Sequence, residues 1–145
     1  MKENKRRVVV TGMGAVTPLG LTSEEFWMNL LAGVSGAAEI TRFDHSRLDT
    51  HFACELKNFD PLNYIDRKAA RRLDPFAQYA LASTKEAIAD SNINIESMSE
   101  EQKDKTGVIF GSGMGGIKTF YDQSVVNHTE GPGKITPFFI PMIIP

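Results

Sequence analysis

Hydrophobic and polar positions divide the chain into segments of two periodicities. Val8, Val9 and Val10 form a β-branched run that breaks at Gly12 and Gly14, and Val108, Ile109 and Phe110 form a second that breaks at Gly111 and Gly113. Short apolar runs bounded by glycine turns predict buried strands. Two of them separated by helical sequence predict parallel strands of one sheet. Thr22-Ser23-Glu24-Glu25 has the form of a capping box and starts a helix. Trp27, Leu30, Leu31 and Val34 then recur at i, i+3, i+4 and i+7 as one face to be buried, and Gly33 is placed to stop the helix. Asp74 and Pro75 supply an N-cap and an N1 proline for a long helix over residues 75–92. Its alanines, among them Ala80 and Ala87, allow close packing against a sheet. A short polar surface helix is expected within residues 95–105. After Gly116, Ile117, Phe120 and Tyr121 are spaced as a helix that frays over residues 127–132. Residues 36–61 lose periodicity apart from a possible strand at 51–56, and residues 36–73 read as a loop-rich surface excursion that carries a basic patch. The fold class is α/β, with residues 1–145 as one unit and no internal boundary.

The last nine residues, PFFIPMIIP, place six large apolar side chains from Phe138 to Ile144 together. Burying such side chains is worth roughly 1.5–3 kcal/mol each, so about 10 kcal/mol is at stake where chains are usually polar. The expectation is that this sequence stops inside a larger protein.

Composition narrows the function classes. With 41% hydrophobic residues the chain can form a core, and a net charge of −2 gives no case for nucleic acid or a membrane surface as partner. The single cysteine, Cys54, rules out an internal disulfide framework and fits a reducing cytoplasm. The basic start followed by three valines is too short in its apolar run for a signal peptide, so export and membrane-spanning readings are rejected.

Several residues are candidates for chemistry. Gly111, Gly113 and Gly116 satisfy G-x-G-x-x-G between a predicted strand and helix, the form of a dinucleotide-binding turn. The pattern also needs an acidic residue ending the next strand, and Glu130 sits in a polar loop with no strand before it. A packing or pocket role for the glycines is the competing reading. His45, His51 and His128 are scattered without metal-ligand spacing. Cys54 alternates with Phe52 and Leu56 and reads as a small buried hydrophobe rather than a nucleophile. No catalytic set stands out. Arg67, Lys68, Arg71 and Arg72 place two i,i+4 cation pairs on one side of a short helix. They form either a solvated face or a docking patch for an acidic partner.

Four stretches in order, RRVVVTGMGAVTPLG, RKAARRLDPFAQYAL, GVIFGSGMGG and GPGKITPFFIP, resemble the N-terminal part of the type II β-ketoacyl-[acyl-carrier-protein] synthases. The resemblance covers nearly the whole chain and would account for its apolar ending, as the first third of a family member. It implies the N-terminal portion of the thiolase-type fold, layered αβαβα and incomplete here, within a cytoplasmic homodimer. It implies decarboxylative Claisen condensation of an acyl thioester with a malonyl thioester on acyl carrier protein, with no cofactor or metal. The family's cysteine nucleophile and two histidines lie downstream of Pro145, and Cys54 is not at a matching position. The chain alone would then be inactive.

By the same resemblance Met114 matches the position that gates the acyl pocket, where the family usually has isoleucine, and Phe139 and Ile140 match pocket-lining residues near the dimer interface. Lys68, Arg71 and Arg72 match the patch that meets the acidic carrier protein. Lys134 matches half of a second basic pair whose partner is replaced by Gly133. The alternatives are a non-catalytic relative like the chain-length factors, and a nucleotide-binding α/β domain.

Overall fold

The structure, a computed structural model, describes residues 7–145; apart from Arg7, the basic lead-in expected over residues 2–7 lies outside them. In chain order the elements are α1 (Ser23–Leu31), β1 (Ala38–Glu39), β2 (Phe52–Ala53), α2 (Arg67–Ala70), α3 (Pro75–Ser91), α4 (Glu100–Asp104), α5 (Ile117–Glu130) and α6 (Phe139–Ile143), with single 3₁₀ turns at Pro61–Asn63, Ile95–Ser97 and Pro132–Lys134.

Local capping chemistry sets most helix starts. The Thr22 hydroxyl accepts the Glu25 N–H at 3.1 Å, while the Glu25 carboxylate reaches one residue further back than a standard box and accepts from Leu21 N–H at 2.8 Å. Gly33, with φ +69°, ends α1 where a left-handed residue is needed. Asp74 caps α3, Pro75 follows at the first helical position, and Asn92 closes the helix in the left-handed region with φ 55°. Ser99 and Gln102 form a complete capping box on α4.

The long helix α3 organises what surrounds it. A Cβ on Gly14 would overlap the Ser83 carbonyl oxygen and one on Gly12 the Ala87 carbonyl oxygen, so backbone lies directly on backbone there. Two carboxylates of α3 hold this run: Met13 N–H donates to Asp90 at 2.8 Å and Ala15 N–H to Glu86 at 2.8 Å. The second oxygen of Glu86 accepts from Ser23 N–H at 2.7 Å and so ties the start of α1 to the same helix.

The expected parallel strands are absent among the described residues. Residues 7–10 and 106–110 are neither paired nor buried, with Val8 88% and Ile109 99% exposed. The backbone that follows the first run, at Gly12 and Gly14, lies on α3, while Val108 and Phe110 of the second line a cleft of about 480 Å³ together with Gly12 and Ala87. Sheet hydrogen bonds need a neighbour about 4.8 Å away, and neither run has the other at its edge. The sheet that does form is a two-stranded antiparallel one, Ala38 opposite Ala53 and Glu39 opposite Phe52, extended by Ile40 N–H to His51 O at 3.0 Å.

Two further expectations of burial fail for the same reason, a missing covering layer. The face of α1 carrying Trp27, Leu30, Leu31 and Val34 is exposed, Trp27 at 55%. Cys54 is exposed beside β2, because a two-residue strand paired along one edge offers no second layer over its side chains.

Most of residues 36–73 are exposed or half-buried, with Ile40 buried. The excursion is pinned to α3 by Phe59, which stacks on Tyr64 with ring centres 5.5 Å apart and meets Tyr79 edge-on at 5.0 Å. Its hairpin is closed by Glu55, whose carboxylate accepts from the Thr41 hydroxyl at 2.7 Å and from the Thr41 and Arg42 amides. The Thr41 hydroxyl, ahead of the two amides, holds the Glu55 carboxyl below its usual value near 4.5, outweighing the opposing effect of burial.

Candidate functional site: a basic cleft beside a glycine turn

The basic cluster begins at a helix cap. Asp66 accepts from Lys68 N–H at 2.8 Å and from Ala69 N–H at 3.0 Å, which starts α2 on the residues that carry the charge. Although α2 ends at Ala70, Arg71 keeps helical dihedrals as its C-cap, so the helical register of the cations persists one residue beyond it. From the other side Gln78 of α3 donates to Ala70 O at 2.9 Å and Leu73 O at 3.0 Å, fixing the corner between the helices. Arg67, Lys68, Arg71 and Arg72 line one open cleft of about 400 Å³, and its remaining wall is Phe138, 66 residues after Arg72. The Arg72 guanidinium carbon sits 4.5 Å from the centre of that ring. Lys134 is exposed on the Pro132–Lys134 turn and does not line this cleft.

Asp74 joins this corner to the next helix. Only 3% exposed, it accepts from Thr119 N–H at 2.9 Å and from the Thr119 hydroxyl at 2.7 Å while capping α3 at Phe76 N–H. One carboxylate therefore serves the N-termini of both α3 and α5, where its charge also favours the two helix dipoles.

The glycine turn has a different task from the one the motif suggests. Gly115, at φ +61°, and Gly116 are buried against α6. A Cβ on Gly115 would overlap the Ile143 carbonyl oxygen, and one on Gly116 would overlap that of Met142. Gly116 N–H donates to Ile143 O at 3.1 Å, Ile117 N–H to Gly115 O, and Thr119 N–H to Asp74. The N-terminal amides that would cradle a phosphate are taken up by the protein itself, and a carboxylate stands among them. Gly111 and Gly113 have nothing within 4 Å of an added Cβ. The geometry opposes the dinucleotide reading and favours packing for Gly115 and Gly116.

Met114 precedes this pair and is 75% exposed. Phe139 is half-buried and stacked on Phe120 at 6.2 Å, and Ile140 is exposed on α6. The turn of Met114 and the helix of Phe139 and Ile140 are thus brought together through backbone contacts. An apolar cleft of about 420 Å³ near Pro145 is lined by Leu73, Phe76, Ala80, Val108 and Phe110, and by none of those three.

The histidines are less scattered than their sequence positions suggest. His45 Nδ1 and His51 Nδ1 lie 2.8 Å apart, and His45 Nε2 is 3.5 Å from Glu39. Both lie in the connection between β1 and β2. Among the described residues no group of three or more His, Cys, Asp or Glu side chains converges as a metal site, and no described helix is long and apolar enough to cross a membrane.

Comparison with known proteins gives this arrangement its class. Residues 5–144 match the family "Beta-ketoacyl synthase, N-terminal domain", and the chain belongs to it. It is 45% identical over 145 residues to 3-oxoacyl-[acyl-carrier-protein] synthase 2 of Staphylococcus aureus (strain COL), covering 100% of this chain and 34% of the relative. Among solved structures it is similar to the ishigamide ketosynthase/chain length factor, with TM-score 0.78, 28% identity, and coverage of 96% of this chain and 34% of that one. It shares its fold with a ketosynthase of a type II PKS bound to a hexaketide and in complex with its acyl-carrier protein, with TM-score 0.76, 23% identity, and coverage of 97% and 36%. The chain spans about a third of the length of the relatives it matches, and it adopts a partial α/β portion of the thiolase-like ketosynthase fold.

Proposed function

We propose that this chain is the N-terminal segment of a condensing enzyme that elongates acyl chains in fatty-acid synthesis. The observation that carries this reading is 45% identity over the whole chain to a 3-oxoacyl-[acyl-carrier-protein] synthase 2. In the full-length protein a cysteine thiolate displaces the carrier thiol from an acyl thioester and holds the acyl group. A malonyl thioester then loses CO₂ to give an enolate, whose carbon attacks the acyl carbonyl and expels the cysteine thiolate. Two histidines assist the decarboxylation and stabilise the enolate oxygen. These three residues are expected downstream of Pro145, so the 145-residue chain alone is inactive in condensation.

Within that enzyme the segment's task is recognition. Lys68, Arg71 and Arg72 dock the acidic acyl carrier protein, supported by their convergence with Arg67 on one cleft. Such a positive surface speeds encounter with an acidic partner and makes it sensitive to salt. Lys134, apart from that cleft and lacking a basic neighbour at Gly133, makes a weaker second contact. Met114 gates the acyl pocket, and Phe139 and Ile140 line it near the interface of a cytoplasmic homodimer. Methionine in place of isoleucine gives that gate a longer, more flexible side chain.

The test is condensation by the full-length protein with acyl- and malonyl-carrier substrates. Formation of 3-oxoacyl-carrier product supports the reading, and its absence from folded, loaded protein overturns it. A second reading, a non-catalytic partner, is favoured by the likeness to a ketosynthase/chain length factor structure. The presence or absence of the downstream cysteine separates the two. Reversing Lys68 and Arg71 to glutamate raises the carrier KM at least ten-fold if the cleft docks the carrier, and an unchanged KM and salt dependence refutes that role.

A further inference from the structure

Four cations line the basic cleft, and one of them, Arg72, is held against an aromatic ring. Its guanidinium lies 4.5 Å over Phe138, and Phe138 is itself set in place from α5: its N–H donates to Thr136 Oγ1 at 3.3 Å, and Thr136 N–H donates to Gln123 Oε1 at 2.7 Å. A guanidinium stacked on a ring keeps its N–H donors in its own plane, at its edge, free to meet a carboxylate as a fork. An exposed arginine without such a platform must lose several rotatable bonds when it binds. Lysine has no planar fork to orient. The platform also ties the cleft to α6, because Phe138 immediately precedes that helix and α6 is seated on the glycine turn through Ile143 O.

We infer that Phe138 is a positioning residue for Arg72, pre-orienting its guanidinium as the directional contact for a carboxylate of the acidic carrier, while Lys68 and Arg71 supply undirected charge. The inference rests on the docking reading of the cleft and adds to it which cation is directional and what directs it.

The experiment measures carrier KM and kcat at low and moderate salt in the full-length protein, for Phe138→Leu, Phe138→Trp, Arg72→Lys and the double variant Phe138→Leu/Arg72→Lys. Losing the platform removes a contact whose strength corresponds to roughly a two- to five-fold change. The expected result is a rise of that size in carrier KM for Phe138→Leu, with kcat unchanged. Phe138→Trp, which keeps a ring face, restores the original KM. Arg72→Lys raises KM although the charge is kept, and Phe138→Leu adds nothing in that background. Equal effects of Phe138→Leu with and without Arg72, or an unchanged carrier KM in Arg72→Lys, overturn the inference. Arg72→Lys changes only an exposed side chain, so it decides the matter even if Phe138→Leu does not fold. If reversal of Lys68 and Arg71 leaves the carrier KM unchanged, the docking reading itself fails. If that reversal weakens docking and these variants do not, only the role of Phe138 fails.

Discussion

Replacing Asp74 by alanine removes three interactions at once. The carboxylate accepts the Thr119 N–H and hydroxyl and also caps α3, and the site is 3% exposed, so water does not take its place. A hydrogen bond to a charged group contributes about 1.5–3 kcal/mol and a lost N-cap about 1 kcal/mol, so Asp74→Ala should cost about 4 kcal/mol. That is a large part of the 5–15 kcal/mol typical of a folded domain. Two milder variants divide the effect. Thr119→Val removes only the hydroxyl bond and should cost about 1.5 kcal/mol. Asp74→Asn retains the α3 cap but turns an amide N–H towards the Thr119 N–H, and should cost about 2–3 kcal/mol. Urea denaturation followed by far-UV circular dichroism supplies the free energies, and amide exchange at Thr119 reports the local opening. A cost below about 1 kcal/mol for Asp74→Ala, or protection at Thr119 unchanged in that variant, would refute the view that this one carboxylate fastens α5 to α3.

Gly116→Ala places a methyl group into the Met142 carbonyl oxygen and should destabilise the protein by about 1–3 kcal/mol, releasing α6 to proteolysis, whereas Gly111→Ala, with open space around it, should change neither. Glu55 gives a pH signature. Its folded value is depressed, so its contribution is fully present above the usual carboxyl value near 4.5 and is lost as pH falls through the lower folded value. Thermal midpoints measured from about pH 6 down to about pH 3 should fall less steeply in Glu55→Gln than in the parent, and identical slopes would show that Glu55 is not a source of acid lability.

Helix boundaries were readable from the residues because capping is local. Thr22, Asp74 and Ser99 each satisfy amides within three positions of themselves, and the caps form as those neighbours require. The strand readings failed because pairing is not local. Val8–Val10 and Val108–Phe110 have the composition of strands, but no partner for either edge lies among the described residues. The face of α1 failed likewise, since periodicity identifies which side chains seek cover without supplying it. At the candidate site the cations were legible as a cluster, being five residues apart at most. Phe138, the pairing of Asp74 with Thr119 and the meeting of His45 with His51 were not, because each depends on where the chain returns. The G-x-G-x-x-G spacing left two roles open for a related reason: six letters of sequence do not reveal that Ile143 O already occupies the turn.

That occupancy has a consequence for the order of events during synthesis. Helix α5 has no side-chain N-cap, and the amide of Gly116 finds its acceptor 27 residues later, at Ile143. At the usual pace of translation the acceptor is added roughly one to five seconds after the donor. Through that interval the nascent helix has Asp74 at its first turn and nothing at Gly116. The seating of Gly116 is therefore led by residues that follow α5 in the chain, and a pause in translation before residue 143 would prolong the time for which that amide lacks its acceptor.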